Sequence, residues 1–142
     1  LQAMILTEGA KMVLTPTYYV FRMYIPFQDA EFIPVTYEPG RLRDIQDALP
    51  QIDAIAARAN DGAIAVAIIN CDPDNAIPVK IVGVDLQRAT GSVLTGPRVN
   101  AYNDVAAEFT VAPDAIELDC ADGVSFEVPA RAVAVLRLEQ SM

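Results

Sequence analysis

Two segments of the chain, AIAVAII at 63–69 and AVAVL at 132–136, constrain the fold more than any other feature because they are continuously apolar. A short apolar run of this kind, bounded by turn residues, is typical of a strand that is buried on both faces. Alanine has a low intrinsic preference for strands, but burial can override it. We therefore predict that these two segments are central strands of a sheet.

Shorter segments with turn residues between them surround the two central strands. QIDAIAARAN at 51–60 leads into Asn60-Asp61-Gly62 and then into the first central strand, which predicts a β-hairpin with an Asp-Gly turn. Short strands at this spacing predict a mainly β chain that folds as an antiparallel β-sandwich. The further predicted strands are FIPVTYE, IPVKIVGV, ATGSVLT, FTVA, AIELD and VSFEV.

The first 28 residues differ from the rest because they hold the one convincing helix. Thr15 suits a helix cap and Pro16 suits the first turn, while Pro26 should end the helix. Its aromatic side chains could form a sugar-stacking platform, but helical spacing favours packing against neighbouring elements. These side chains are Tyr18, Tyr19, Phe21 and Tyr24.

Charge and composition exclude several function classes. The formal net charge is −9, with 19 acidic and 10 basic residues, which argues against binding nucleic acid or an anionic membrane surface. The chain has no histidine, so it cannot hold a Ser-His-Asp or Cys-His nucleophile system. No apolar run reaches the roughly 18 residues that a membrane-spanning helix needs. We expect no cofactor and no metal.

The two cysteines and the acidic clusters have ordinary structural interpretations. Cys71 and Cys120 fall at strand-like positions, which favours buried free thiols, although a disulfide stays open. The DPDN sequence at 72–75 could bind a cation, but between strands it favours a turn that caps its own backbone. Two carboxylate pairs could do acid–base work, although solvated strand faces are favoured. The pairs are Asp29 with Glu31 and Glu117 with Asp119.

One segment resembles a known junction. KMVLTPTYYVFRMY at 11–24, followed by FQDAEFIPV at 27–35, is similar to the region late in α-L-arabinofuranosidases of glycoside hydrolase family 51 where the catalytic barrel leads into a C-terminal β-sandwich. Later parts of the chain also resemble motifs of that family, so the resemblance covers essentially the whole chain. They are Asp61-Gly62 with Ile69-Asn70, Gly91 with VLTGPRVNAYN, and VPARAVAVLRLE.

The resemblance implies two parts. LQAMIL at 1–6 would be the eighth strand of a (β/α)8 barrel. Residues 1–28 would then be the last strand and the leftover short helix of the catalytic barrel, and residues 29–142 its jelly-roll-like C-terminal β-sandwich domain. Sandwiches of this family also recruit strands that precede the barrel. If those strands are missing, a bare edge favours homo-oligomers, with residues 1–28 either disordered or buried in a neighbour.

The resemblance also implies an activity for the parent protein. That activity is retaining hydrolysis of terminal, non-reducing α-L-arabinofuranosides, which needs two carboxylates about 5–5.5 Å apart. In this family both are glutamates on earlier barrel strands, so the chain alone should not catalyse. Gln2 matches the glutamine that hydrogen-bonds the arabinose, and an amide can both donate to and accept from sugar hydroxyls. The family's common bacterial habit implies a cytoplasmic location.

Three functions are weighed from the sequence. The favoured one is an accessory domain of an arabinofuranosidase, with the catalytic barrel of the same polypeptide and an arabinofuranosyl glycan as partners. The alternative is an independent carbohydrate-binding module, although only five aromatic side chains lie beyond Phe27. A freestanding enzyme is disfavoured because His-based and Cys-based motifs are absent from the sequence. The five aromatic side chains are Phe32, Tyr37, Tyr102, Phe109 and Phe126.

Overall fold

The computed structural model describes residues 3–42 and 49–141. The chain is mainly β and antiparallel, as predicted, and its described residues hold one α-helix, α1 (Pro16–Met23), and a 3-10 turn at Ile25–Phe27. The strands are β1 (Ile5–Glu8), β2 (Lys11–Leu14), β3 (Glu31–Ile33), β4 (Ile52–Arg58), β5 (Ile64–Asn70), β6 (Ile77–Ile81), β7 (Leu86–Leu94), β8 (Pro113–Leu118), β9 (Val124–Val128) and β10 (Val133–Gln140).

The largest sheet has six strands in the order β3-β4-β5-β10-β7-β8. The two apolar segments, β5 and β10, are its central strands and pair with each other from Val133↔Ile69 to Leu138↔Ile64, which confirms the prediction. The predicted hairpin is also confirmed, since β4 and β5 pair antiparallel around the turn at Asp61-Gly62. The sheet thus grows outward on both sides from its two most apolar strands.

The inner face of the six-stranded sheet packs against a second sheet made of β6 and β9. Alternate residues of the central strands point into this core, because side chains of a strand alternate between its two faces. Leu136 and Leu138 of β10 are buried there together with Val124 and Val128 of β9. This layer of side chains makes the fold a sandwich with two sheets of unequal size.

The outer face of the same sheet is covered by α1. Tyr19 and Met23 of the helix are buried against Ala67, Leu94 and Val135. The helix therefore packs on the sheet of its own chain, and the expectation of a disordered segment is wrong for Pro16–Met23. Burial of the segment in a neighbour stays a prediction. In the part of the chain that the structure describes, no helix has the length and hydropathy to span a bilayer.

The hairpin that precedes α1 differs from the prediction. Residues 1–6 were expected to form a barrel strand, yet Ile5 and Leu6 belong to β1, which pairs antiparallel with β2. The chain reverses at Gly9 and Ala10 between the pair Glu8↔Lys11, and Gly9 has a φ of +59°, which glycine adopts at little cost. Ile5 and Leu6 therefore belong to an antiparallel hairpin and not to a parallel strand.

One predicted strand is absent and two are shortened, of which IPVKIVGV at 77–84 ends at Ile81. FTVA at 109–112 is not a strand, because the backbone of Val111 is hydrogen-bonded by the side chain of Asn103 and not by a neighbouring strand. FIPVTYE at 32–38 contributes only the end of β3, which stops at Ile33. The next residue is Pro34, which has no N–H to donate to a sheet.

One edge of the smaller sheet borders an open groove. Among the described residues, β6 pairs only with β9, so its other edge is unpaired, and it contains Pro78, which has no N–H. A groove of about 670 Å³ lies between β6 and residues 33–38, with Ile52, Val66 and Ile68 among its lining side chains. The two-stranded sheet thus covers only part of the apolar inner face.

Candidate functional site

The candidate functional site is the region where the hairpin–helix segment, residues 3–28, contacts the sandwich. Thr15 fixes the start of α1, because its side chain accepts a hydrogen bond from the Tyr18 N–H, as predicted for a capping residue. Its hydroxyl also donates to the Ala3 carbonyl at 2.7 Å, and its N–H donates to the Met4 carbonyl at 3.1 Å. The two ends of the hairpin are therefore held together at the first turn of the helix.

Asn103 connects this segment to a loop of the sandwich, the 97–111 loop. Its side chain is only 1% exposed. Nδ2 donates to the carbonyls of Leu14 at 2.9 Å and Val111 at 2.7 Å, and Oδ1 accepts from the Val111 N–H at 2.7 Å. The amide replaces a strand partner for Val111, which explains why FTVA is not a strand. It also joins the residue before Thr15 to the sandwich.

The helix aromatics divide between the sheet and the opposite side. Tyr19 is buried on the sheet and Tyr18 meets its ring edge-on, with the ring centres 5.7 Å apart. Tyr24 stacks against Phe27 at 5.3 Å. Phe21 points away from the sheet and is 63% exposed. Packing therefore accounts for most of these side chains, and they do not form one flat platform for a sugar.

The five aromatic side chains of the sandwich are dispersed as well. Phe126 packs on the main core, and the Tyr37 hydroxyl donates to Asp53 at 2.7 Å. Phe32 lies exposed on the edge strand β3, whereas Tyr102 and Phe109 lie in the 97–111 loop. Within the described ranges, ring-to-ring contacts occur only in the helix region. This arrangement does not provide the shared aromatic surface of an independent carbohydrate-binding module.

The DPDN segment forms a turn that caps its own backbone, as predicted. Oδ1 of Asp72 accepts from the N–H groups of Asp74 and Asn75, both at 2.9 Å, and Oδ2 accepts from Gln51 at 3.0 Å. The donors from the Asp74 and Asn75 backbone lower the pKa of Asp72 from 3.8 to about 2. Its oxygens are thus occupied by N–H donors that a cation would have to displace.

Neither predicted carboxylate pair forms a catalytic arrangement. Glu117 makes an exposed ion pair with Arg88 at 3.2 Å, and Asp119 lies beyond the end of β8, where it accepts from the Ala121 N–H. Asp29 precedes β3 with a φ of +55°, so it does not share a strand face with Glu31. In residues 3–42 and 49–141, no group of three His, Cys, Asp or Glu side chains is placed to hold a metal ion.

The cysteines are free thiols, and neither of them is fully buried. Cys71 is exposed and Cys120 is half-buried beside the main core. The prediction of two buried thiols is wrong for Cys71 because β5 ends one residue earlier, at Asn70. The Asn70 side chain takes the buried position there, donating to the carbonyls of Asn75, Val128 and Pro129.

The predicted substrate-binding residue, Gln2, lies outside the described residues. The other polar groups of the segment–sandwich contact, Thr15 and Asn103, hold backbone groups in place. Sequence reasoning missed the role of Asn103, although its position in the motif VLTGPRVNAYN was noted. Among the described residues, the polar contacts of this region hold the hairpin–helix segment on the sandwich.

The comparison with known families decides the identity of the fold. The family model described as the α-L-arabinofuranosidase C-terminal domain matches residues 1–132. The chain belongs to this family. It is the C-terminal domain of arabinofuranosidases of glycoside hydrolase family 51, which agrees with the resemblance found in the sequence.

Individual relatives of this C-terminal domain are much longer than the chain. An intracellular exo-α-L-arabinofuranosidase of Bacteroides ovatus is 35% identical over 98% of this chain, which is 28% of the relative. The family 51 arabinofuranosidase structure from Xanthomonas axonopodis pv. citri is 36% identical with a TM-score of 0.86, covering 98% of this chain and 29% of that one. The Thermotoga petrophila enzyme, at 22% identity and a TM-score of 0.77, covers 95% and 31% and shows the shared fold.

We predict that Asn103→Ala destabilises the C-terminal domain by about 2–4 kcal/mol, since three hydrogen bonds are lost and buried backbone groups of Leu14 and Val111 lose their partner. Urea unfolding of the chain measures this change. Asn100→Ala is the matched control, because Asn100 is exposed in the same loop, and it should change stability by less than about 0.5 kcal/mol. Equal stability of the two variants would contradict the assigned role of Asn103.

The lowered pKa of Asp72 predicts a loss of stability in acid. A carboxylate whose pKa is lower in the folded than in the unfolded state stabilises the fold above its ordinary pKa of 3.8, and this contribution is lost as the pH falls through about 2. Unfolding measured from about pH 5 down to about pH 2 should therefore vary less for Asp72→Asn than for the wild type. Asp74→Asn, at an exposed position of the same turn, should keep the wild-type dependence, and identical profiles for all three proteins would refute the assignment.

Proposed function

We propose that this chain is the accessory C-terminal domain of a longer, retaining α-L-arabinofuranosidase. The parent protein removes terminal, non-reducing arabinofuranosyl residues from arabinose-containing polysaccharides and oligosaccharides. The observation that carries this proposal is the match of residues 1–132 to a domain family that bears the enzyme's name. The coverage supports it, because the chain spans less than a third of the two arabinofuranosidases that are 35% and 36% identical to it.

The proposed partner within the same polypeptide is the catalytic barrel. The hairpin–helix segment exposes several large apolar side chains to water. Burying them against a barrel contributes about 25 cal/mol for each Å² of apolar surface removed from water. Residues 1–28 are then the last strand and helix of the barrel, and residues 29–142 the sandwich domain. The exposed apolar side chains are Met4, Ile5, Met12, Phe21 and Ile25.

The chain itself has no assigned part in the bond-breaking step. A retaining mechanism uses one carboxylate as nucleophile and another as general acid and base. Both are supplied by earlier barrel strands of the parent, outside residues 1–142. Gln2 is the one residue of this chain that we assign to the sugar, as a hydrogen-bond partner of the arabinose.

The groove beside β6 is the proposed place for a further strand of the parent. Its apolar lining and the unpaired edge of β6 suit an extended segment that would complete the smaller sheet. A second copy of the chain could use the same edge, so homo-oligomers form the alternative to completion by the parent. A cytoplasmic location is proposed because the Bacteroides ovatus relative is named as intracellular.

Activity on p-nitrophenyl α-L-arabinofuranoside tests the proposed function. The complete gene product should release p-nitrophenol, whereas residues 1–142 alone should release none, because both catalytic carboxylates are missing. Isothermal titration of the isolated chain with arabinoxylan fragments should show no tight binding, because one exposed aromatic ring contributes only about 1 kcal/mol. Activity of the isolated chain, or binding in the micromolar range, would contradict an accessory role.

The same assay tests Gln2 within the complete protein. Gln2→Ala removes a hydrogen bond to the arabinose, so kcat/KM should fall by about tenfold or more. Gln28→Ala serves as the control, since Gln28 is exposed after the 3-10 turn and should keep wild-type kinetics. Wild-type kinetics in both variants would remove Gln2 from the substrate site.

A further inference from the structure

The 97–111 loop exposes apolar and aromatic side chains that the fold does not need. Tyr102 is 64% exposed and Phe109 is 73% exposed, and Val99 is equally open. The loop backbone is nevertheless held firmly, because Asn103 bonds it to Val111 and Oδ1 of Asp104 accepts from the N–H groups of Ala106 and Ala107 at 2.9 and 2.8 Å. The exposed rings are therefore presented on a loop with a fixed shape.

The loop lies next to the first turn of α1. Asn103 donates to the carbonyl of Leu14, the residue that precedes the capping Thr15, and Thr15 in turn contacts the carbonyls of Ala3 and Met4. In a (β/α)8 barrel, the helix that follows a strand begins at the carboxyl end of the strands, which is the face that carries the active site. If residues 1–28 close the barrel as proposed above, the 97–111 loop stands at the rim of the active-site face.

Tyr102 forms part of a cleft that suits a sugar ring. The cleft has a volume of about 360 Å³ and is lined by Arg98, Tyr102, Asp104 and Thr110 together with small apolar side chains. An aromatic ring offers its face to the apolar face of a sugar, and the neighbouring guanidinium and hydroxyl groups can hydrogen-bond its hydroxyls. Phe109, although more exposed, does not line this cleft.

We propose that the 97–111 loop binds the backbone of the glycan that carries the arabinose, with a neutral backbone pentose stacked on Tyr102. This inference rests on the proposed function and extends it, because it gives the sandwich a direct contact with substrate. Tyr102 then sets the preference for long over short substrates, while the arabinose itself is bound elsewhere. The loop takes no part in the chemical step.

The test compares substrates of different length in the complete gene product. Tyr102→Ala should lower kcat/KM for arabinose-substituted xylo-oligosaccharides by about five- to tenfold, the size of a lost aromatic contact. Its kcat/KM for p-nitrophenyl α-L-arabinofuranoside and its inhibition by free L-arabinose should stay within twofold of wild type. Tyr102→Phe should keep most of the oligosaccharide activity because the ring remains. Phe32→Ala is the control, because it removes another exposed ring from the edge strand β3. It should leave kcat/KM unchanged for both substrates.

Each outcome separates this inference from the proposed function. Equal losses on both substrates would indicate damage to the fold or to the arabinose site and would overturn the role of Tyr102. An unchanged oligosaccharide rate in Tyr102→Ala, or the same loss in Phe32→Ala, would overturn it as well. A wild-type gene product that is inactive on both substrates would refute the proposed function itself. The wild type alone is enough for that test.

Discussion

The structure depends on one pair of strands, β5 and β10, that must be covered on both faces. Their inner side chains, such as Ile68 and Leu136, are buried against the smaller sheet, while Ala67 and Val135 on the other face are buried under α1. A sandwich needs only the smaller sheet on the inner face. The burial of the outer face under α1 explains why the hairpin–helix segment is part of this fold. The small side chain of Ala67 on the outer face lets a helix approach the sheet closely. The same strands thus tie the sandwich to the hairpin–helix segment.

Buried side-chain amides hold the loop backbone at points where no strand pairs with it. Asn103 and Asn70 are both buried, and each uses its amide to bond backbone groups from segments distant in sequence. An asparagine can donate twice and accept as well, so one residue can replace several backbone partners at a point where no strand fits. Asn103 fixes the 97–111 loop beside α1, and Asn70 fixes the turn that follows β5 beside the end of β9. These amides therefore fix the backbone of two loops against the sandwich.

The sequence predicts the strands and turns well because their pattern is local. Both central strands, the Asp-Gly hairpin, the start of α1 and the strand Val124–Val128 follow from apolar runs and turn residues. The features that escape prediction depend on contacts between distant residues. FTVA has the pattern of a strand, yet its backbone bonds to Asn103, and Ile5 and Leu6 form a hairpin strand where a barrel strand was expected. The exposed ring of Tyr102 was counted in the sequence, but its place beside α1 requires the fold.

The central claim is that the hairpin–helix segment and the sandwich form one cooperative unit, and its most direct test is urea unfolding of residues 29–142 beside residues 1–142. Deletion uncovers Leu94 and Val135 and leaves the Asn103 amide without Leu14. We expect the shortened chain to lose about 2–5 kcal/mol of stability, or to fail to fold, because an apolar face is left exposed to water. An unchanged midpoint and slope would contradict this account and would show that the sandwich is complete without the segment.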